Sequence, residues 1–173
     1  EGGDRGRLVK ILNLPKDRYL PEKYLFQAPV SPHWAAEKEN RIIEPSQLNI
    51  PNISGPLIIE TAGGLMVPLN RQWLQIDQLV KWQLPLILVA RSGLGTLNHT
   101  LLSLEALRMR KLCVLGLILN GTLHQDNPTT LEKFGNVPVI AQLPHLTSIT
   151  SEVLAEQWQL QGLSNTFKHL LTP

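Results

Sequence analysis

The chain is short of nearly everything that marks a secreted, membrane-embedded or nucleic-acid-binding protein. Cys113 is the only cysteine among its 173 residues, which excludes an intrachain disulfide and a thiolate metal cluster. Cys113 lies in the apolar run Leu112–Leu119, so a packed, inert thiol is the expectation. Long hydrophobic runs are lacking too. The longest, Leu84 to Ala90, is far too short to cross a bilayer, and no charged-then-apolar leader is visible. A cytoplasmic location follows as an expectation. Sixteen basic against fourteen acidic side chains give a net charge of only +2. No basic stripe is formed, so neither nucleic acid nor membrane is an expected partner. The five histidines, His33, His99, His124, His145 and His169, show no metal-ligand spacing and read as solvated or packed.

What is present suits one globular domain over residues 1–173, with a 43% hydrophobic composition that argues against disorder. Four short runs rich in branched aliphatics punctuate the chain: Leu57–Glu60, Leu86–Ala90, Val114–Leu119 and Val137–Ala141. Such runs read as strands buried on both faces of a parallel sheet. Helical patterns alternate with them. Trp73 to Trp82 carries Leu74, Ile76, Leu79 and Val80, and Thr96 to Arg110 carries Leu97, Leu101, Leu104 and Leu107 on one stripe. Strand and helix alternating at this spacing predict parallel βαβ units and an α/β fold. Ser31-Pro32 predicts a helix start before His33–Asn40. In the tail from Thr147, Gly162 is expected to divide two helices.

In open parallel sheets ligands gather beyond the carboxyl ends of the strands, and there the sequence becomes unusual. The first run ends Glu60-Thr61-Ala62-Gly63-Gly64. A carboxylate followed by bare glycine amides can hold Mg²⁺ beside phosphates, or can be a βα turn with an acid as local cap. The second ends Arg91-Ser92-Gly93-Leu94-Gly95-Thr96-Leu97-Asn98-His99. It offers either an anion site on free helix amides or a flexible loop capped by Thr96. No Lys-Ser or Lys-Thr pair follows these glycines, so the loop is not a P-loop. The third ends Asn120-Gly121, an amide able to read a purine or simply a turn. The fourth ends at Pro144-His145-Leu146, a turn or a wall beside a flat ring.

Together with Ala28-Pro29-Val30-Ser31-Pro32-His33-Trp34-Ala35-Ala36-Glu37, the segments Glu60–Asn70 and Leu84–His99 make the chain resemble the dethiobiotin synthetases of biotin biosynthesis. Thr61 stands where that family usually has a glycine. The resemblance implies a P-loop NTPase-like parallel-sheet fold and a homodimer with interface active sites. It implies an ATP- and Mg²⁺-dependent ligase that joins 7,8-diaminononanoate and CO₂ or bicarbonate into a cyclic urea. A carbamate forms, ATP phosphorylates it, and the second amine attacks the mixed anhydride.

By the same resemblance Asp4 and Glu60 hold Mg²⁺, and Glu60, Thr61, Ala62 and Gly63 line the triphosphate. Asn120 and Gly121 meet the adenine, with Pro144, His145 and Leu146 along its other side. Gly93, Leu94, Gly95, Thr96, Leu97 and Asn98 present amides and the Asn98 side chain to the substrate carboxylate in the neighbouring subunit's site. The family's lysine-bearing P-loop and first strands are not found in this sequence; Lys10, Lys16 and Lys23 have the wrong context. The catalytic lysines are therefore expected upstream of Glu1, and the chain by itself is expected to be inactive. The alternative is a shortened, non-catalytic relative acting as a dimeric small-molecule-binding or interaction protein. A different ATPase of the same broad fold is disfavoured by the Pro29–His33 stretch.

Overall fold

A computed structural model describes residues 3–171, without the side chains of 16 and 171. The opening Glu1-Gly2, the Lys16 side chain and the final Thr172-Pro173 lie outside the described residues. The chain divides into two compact units, residues 1–20 with 85–173, and residues 21–84.

The first unit is built on a three-stranded parallel sheet in the order β3-β4-β5, formed by Leu86–Arg91, Val114–Asn120 and Val139–Leu143. Two of these strands fall where the aliphatic runs predict. The last begins two residues later than expected, because Val137 precedes the ladder and Leu117 N–H bonds Pro138 C=O at 2.8 Å before Leu117 pairs with Val139. Helix α4 (Thr96–Met109) buries Leu104 and Leu107, with Leu97 and Leu101 half-buried on the same stripe. Leu104 joins Leu117 and Leu119 of β4 and Leu131 of α5 (Asn127–Gly135) in one cluster, flanked by Leu88, Ala90, Leu97 and Leu101. The fit is tight at two glycines. A Cβ on Gly116 would stand 2.6 Å from Ile140 Cγ2, and one on Gly135 would stand 2.7 Å from Leu104 Cδ1. Arg108 at the end of α4 donates to the Gly135 carbonyl, closing the α4–α5 contact.

Burial on both strand faces is not observed. The cluster with α4 and α5 covers one face, whereas Val89 is 61% exposed. Cys113 also departs from expectation: directly before β4, where its carbonyl accepts the Leu86 N–H at 2.9 Å, it is exposed rather than packed. Helix α1 (Asp4–Leu12) precedes these elements in the chain. At its end, α6 (Ser151–Leu160) and α7 (Leu163–Leu171) turn about Gly162 at φ 62°. The division at Gly162 is thus as expected. Trp158 stacks on Phe167 with ring centroids 5.2 Å apart and donates to Ser164 Oγ at 2.7 Å.

The second unit packs α2 (Pro32–Lys38) against an antiparallel pair, β1 (Pro68–Asn70) and β2 (Trp73–Leu74), through Ala36, Ile43 and Leu69. Ser31 precedes Pro32 as predicted, but its hydroxyl makes no capping bond. Helix α3 (Gln75–Trp82) buries Ile76 and Leu79. It also clamps the preceding loop, since Gln78 Nε2 and Trp82 Nε1 both donate to the Leu48 carbonyl. The expected strand Leu57–Glu60 is not a strand. It has no ladder partner among the described residues, and Ile58 is 95% exposed. Branched aliphatics favour extended backbone, but a strand exists only where a second backbone satisfies its amides and carbonyls.

Replacing Leu117, fully buried at the centre of β4, tests which cluster holds the first unit. Leu117→Ala should lower unfolding free energy by roughly 2–5 kcal/mol in urea titration. A cost below ~1 kcal/mol would show that the sheet core lies elsewhere.

Candidate functional site

Parallel strands end on a common edge, and in the first unit that edge gathers three of the loops singled out by sequence. Ser92, directly after β3, donates its N–H to the Asn120 carbonyl at 3.1 Å, and Gly121 donates its own to Leu143 at 2.9 Å. The ends of β3, β4 and β5 are therefore tied in a row. Asn120 is exposed, as an amide that reads a ligand must be. Gly121 contributes differently from expectation. Its amide is already spent on Leu143, and it is buried at φ 128°, where the missing Cβ lets the chain pack closely against Ser92. An added Cβ there would lie 2.8 Å from Ser92 Oγ and 3.7 Å from His145 Nε2. That proximity brings His145 beside Asn120-Gly121, with Pro144 and Leu146 half-buried on either side of it.

The Gly93–Asn98 loop enters α4 through Gly95 in the left-handed region at φ 92°. Gly95, not Thr96, is the residue at the cap position. Thr96 is instead buried at 4% exposure, its hydroxyl paired with Thr100 at 3.2 Å and its amide given to the Gly93 carbonyl at 3.1 Å. The Thr96 amide is thereby committed within the loop. The amides of Gly93, Leu94, Gly95, Leu97 and Asn98 have no backbone acceptor among the described residues. Gly93, Leu94, Gly95 and Asn98 are exposed, and Leu94 projects wholly into solvent. Unsatisfied N–H groups at the first turn of a fourteen-residue helix carry its positive end and suit an anion. Beside them lies an open cavity of about 370 Å³ lined by Arg91, Leu94, Thr96, His99, Thr100 and Ser103 with Leu88, Val89 and Ala90. The sequence reading gave Arg91 no role. Its position at the end of an aliphatic strand, next to the glycines, was the available signal.

Asp4 and the Glu60 segment are not brought to this edge by any described contact. Asp4 is exposed in the first turn of α1. Glu60 belongs to the second unit and is exposed on extended backbone. The amides of Thr61, Ala62, Gly63 and Gly64 have no backbone acceptor among the described residues, and Gly63 takes φ 89°. Beyond the glycines, Leu65 and Val67 turn their carbonyls onto the first amides of α3, at 2.8 Å each. That helix N-terminus is thereby filled, which leaves the glycine amides as the open donors. No group of three or more His, Cys, Asp or Glu able to cage a metal is found among the described residues. The donor chemistry still suits Mg²⁺, which commonly takes one or two carboxylates and completes its shell with phosphate and water.

The Pro29–Glu37 motif has a structural use. The Arg71 guanidinium, in the β1–β2 turn, donates to both Glu37 oxygens at 2.7 Å, joining α2 to that turn. Those hydrogen bonds, with the Arg71 charge, hold the Glu37 carboxyl below its ordinary range despite slight desolvation.

A family model described as an AAA domain matches residues 1–153. An ATP-dependent dethiobiotin synthetase of Rhodopseudomonas palustris is 42% identical over 154 residues, covering 89% of this chain and 72% of that protein. This chain belongs to the dethiobiotin synthetase family. A dethiobiotin synthetase of Bradyrhizobium sp. is 43% identical over 155 residues, 89% of this chain and 74% of its own length. The biotin biosynthesis bifunctional protein of Bordetella avium is 45% identical over 161 residues, 93% of this chain but only 34% of that longer protein. As a dethiobiotin synthetase relative the chain has the expected P-loop NTPase-like α/β fold, of which β3-β4-β5 is the described parallel sheet. No helix among the described residues is long and apolar enough to cross a membrane.

The Glu37–Arg71 pair predicts a pH effect on the dethiobiotin synthetase-like second unit. A carboxyl depressed in the folded state stabilises above its unfolded pKa, and that contribution is lost as pH falls through the folded value. Glu37→Gln should therefore lose stability at neutral pH and flatten the acid limb of a thermal-unfolding profile. Both side chains are exposed, so the effect should shrink in high salt. Parallel profiles for wild type and variant across the acid range would remove the ion pair from the account.

Proposed function

We propose that this chain carries the purine edge and the substrate-carboxylate loop of an ATP- and Mg²⁺-dependent dethiobiotin synthetase. The reaction closes a cyclic urea on 7,8-diaminononanoate. One amine captures CO₂ as a carbamate, losing a proton. ATP phosphorylates a carbamate oxygen, giving a carbamic-phosphoric anhydride and ADP. The second amine then attacks the carbonyl carbon and expels phosphate. Phosphorylation converts a poor leaving group into a good one, and the protein's share is positioning and charge stabilisation.

The observation that carries this reading is the strand-end edge, which presents exposed Asn120 after β4 and, at the start of α4, free amides with exposed Asn98 for the neighbouring copy's site. Purine recognition and carboxylate recognition need those two chemistries. Asn120 takes the adenine, with buried Gly121 behind it and Pro144, His145 and Leu146 as the neighbouring wall. The amides of Gly93, Leu94, Gly95, Leu97 and Asn98, with the Asn98 side chain, take the substrate carboxylate. Glu60 and Asp4 are assigned to Mg²⁺, with the open amides from Thr61 to Gly63 facing the triphosphate. The metal, when bound, offsets phosphate charge.

A homodimer is part of the proposal. Asn98, Leu102, Glu105 and Met109 fall at helical spacing on one face of α4, with Leu102 61% and Met109 73% exposed. Two exposed apolar side chains on the face that carries Asn98 support a second copy packed there, with Asn98 serving the partner's site.

Two measurements on the full-length polypeptide test the assignment. Asn98→Ala should raise KM for diaminononanoate by about tenfold, the size expected for one hydrogen bond to a charged group, and leave KM for ATP nearly unchanged. An equal or reversed effect would remove Asn98 from the carboxylate site. Glu60→Ala should reduce urea formation from diaminononanoate, bicarbonate and Mg-ATP by at least about a hundredfold. Wild-type turnover in that variant would end the metal assignment.

A further inference from the structure

We propose that Asn127 is a positioning residue for the substrate loop, acting from α5 through the peptide group of Ser92. The inference deepens the assignment above and rests on the Gly93–Asn98 loop receiving the substrate carboxylate.

Asn127 opens α5 and is 7% exposed. Its Nδ2 donates to the Ser92 carbonyl at 2.9 Å, across 35 positions of sequence. Ser92 itself is 3% exposed, and its N–H is held by the Asn120 carbonyl at 3.1 Å. Ser92 is thus clamped on both sides, by β4 through its N–H and by α5 through its C=O. Its Oγ is buried without a partner, close to the position a Gly121 Cβ would take. The clamp therefore consists of the two backbone contacts.

Past Ser92 the anchoring stops. Gly93, Leu94 and Gly95 are exposed, and the next fixed point is Thr96, whose amide returns to Gly93. Among the described residues, Asn127 supplies the side-chain bond that reaches this loop from outside it and outside α4. Asn127 is itself held at its base. His124 Nδ1 accepts from the amides of both Asp126 and Asn127, at 3.2 and 3.1 Å. Asp126 Oδ2 in turn accepts from the Thr130 hydroxyl at 2.9 Å. The β4–α5 connection is therefore a braced arm with an amide at its tip.

The chemistry at that tip is specific. Only a donor can meet the Ser92 carbonyl, and an ionised carboxylate of the same size would repel it. Without this bond the loop remains tied to β4 but loses its second support, so the free amides before α4 spread over more positions. The purine side should be spared, because Gly121 is held separately by Leu143.

Asn127→Asp in the full-length polypeptide tests this with two readouts. KM for diaminononanoate should rise about fivefold, the factor expected for one neutral hydrogen bond, with KM for ATP changed less than about twofold. Amide exchange at Thr96 and His99, whose acceptors are the Gly93 and Gly95 carbonyls, should accelerate by a similar factor, with Leu154 of α6 as an unaffected control. Unchanged exchange at Thr96 and His99, or a common rise in both KM values, would overturn the positioning role. Should wild type form no urea, the proposed function fails while the exchange comparison still decides the anchor. Should Asn127→Asp not fold, Asn127→Ser carries the same comparison, its shorter side chain failing to reach Ser92.

Discussion

The parallel ladder of β3, β4 and β5 is the constraint from which the rest of the first unit follows. Parallel pairing sends every strand in one direction, so the three carboxyl ends arrive together and their loops have to share an edge. Ser92, Asn120, Gly121 and Leu143 are the residues at which that edge is tied, by backbone bonds that no side-chain substitution directly removes. Above them the loops differ in composition: amides and glycines after β3, an asparagine after β4, a proline and histidine after β5. One backbone geometry thus presents three chemistries along a single edge.

The ladder is supported from one face. Leu104, Leu117, Leu119 and Leu131 close a dry cluster under α4 and α5, and the tight contacts at Gly116 and Gly135 show how little room remains. The same helices present polar groups at their starts. Free amides stand at the head of α4, and Asn127 stands at the head of α5. Packing and recognition are therefore joined within single elements, the leucines fixing the axis along which the first-turn groups point.

The second unit shows a different economy, a small core of Ala36, Ile43 and Leu69 with hydrogen bonds and ion pairs in place of a large sheet. Its motif Pro29–Glu37 was legible as a helix start and as a family feature. The partnership of Glu37 with Arg71 was not, because the two are 34 positions apart and only the β1–β2 turn brings them together. The acid-glycine segment at Glu60 was legible as a run of unusual residues. Its strand was over-read, since extended preference at Leu57–Glu60 does not supply a pairing partner.

The sequence by itself determined the local periodicities and the conformational exceptions. The leucine spacing of α4, the aliphatic runs of β3 and β4, and the break at Gly162 follow from side-chain shape and backbone freedom, which are properties of neighbours along the chain. The residue types at the strand ends were also readable, and with them the kind of ligand they suit. Tertiary structure decided which of those groups remain free. Thr96 is spent on Thr100 and Gly93, the Gly121 amide is spent on Leu143, and Asn127 is committed to Ser92. Each outcome depends on a partner far away in sequence or on the exact geometry of a turn, and hydrogen-bond capacity is finite. Sequence therefore states which groups are available, and folding states which of them are left for a ligand.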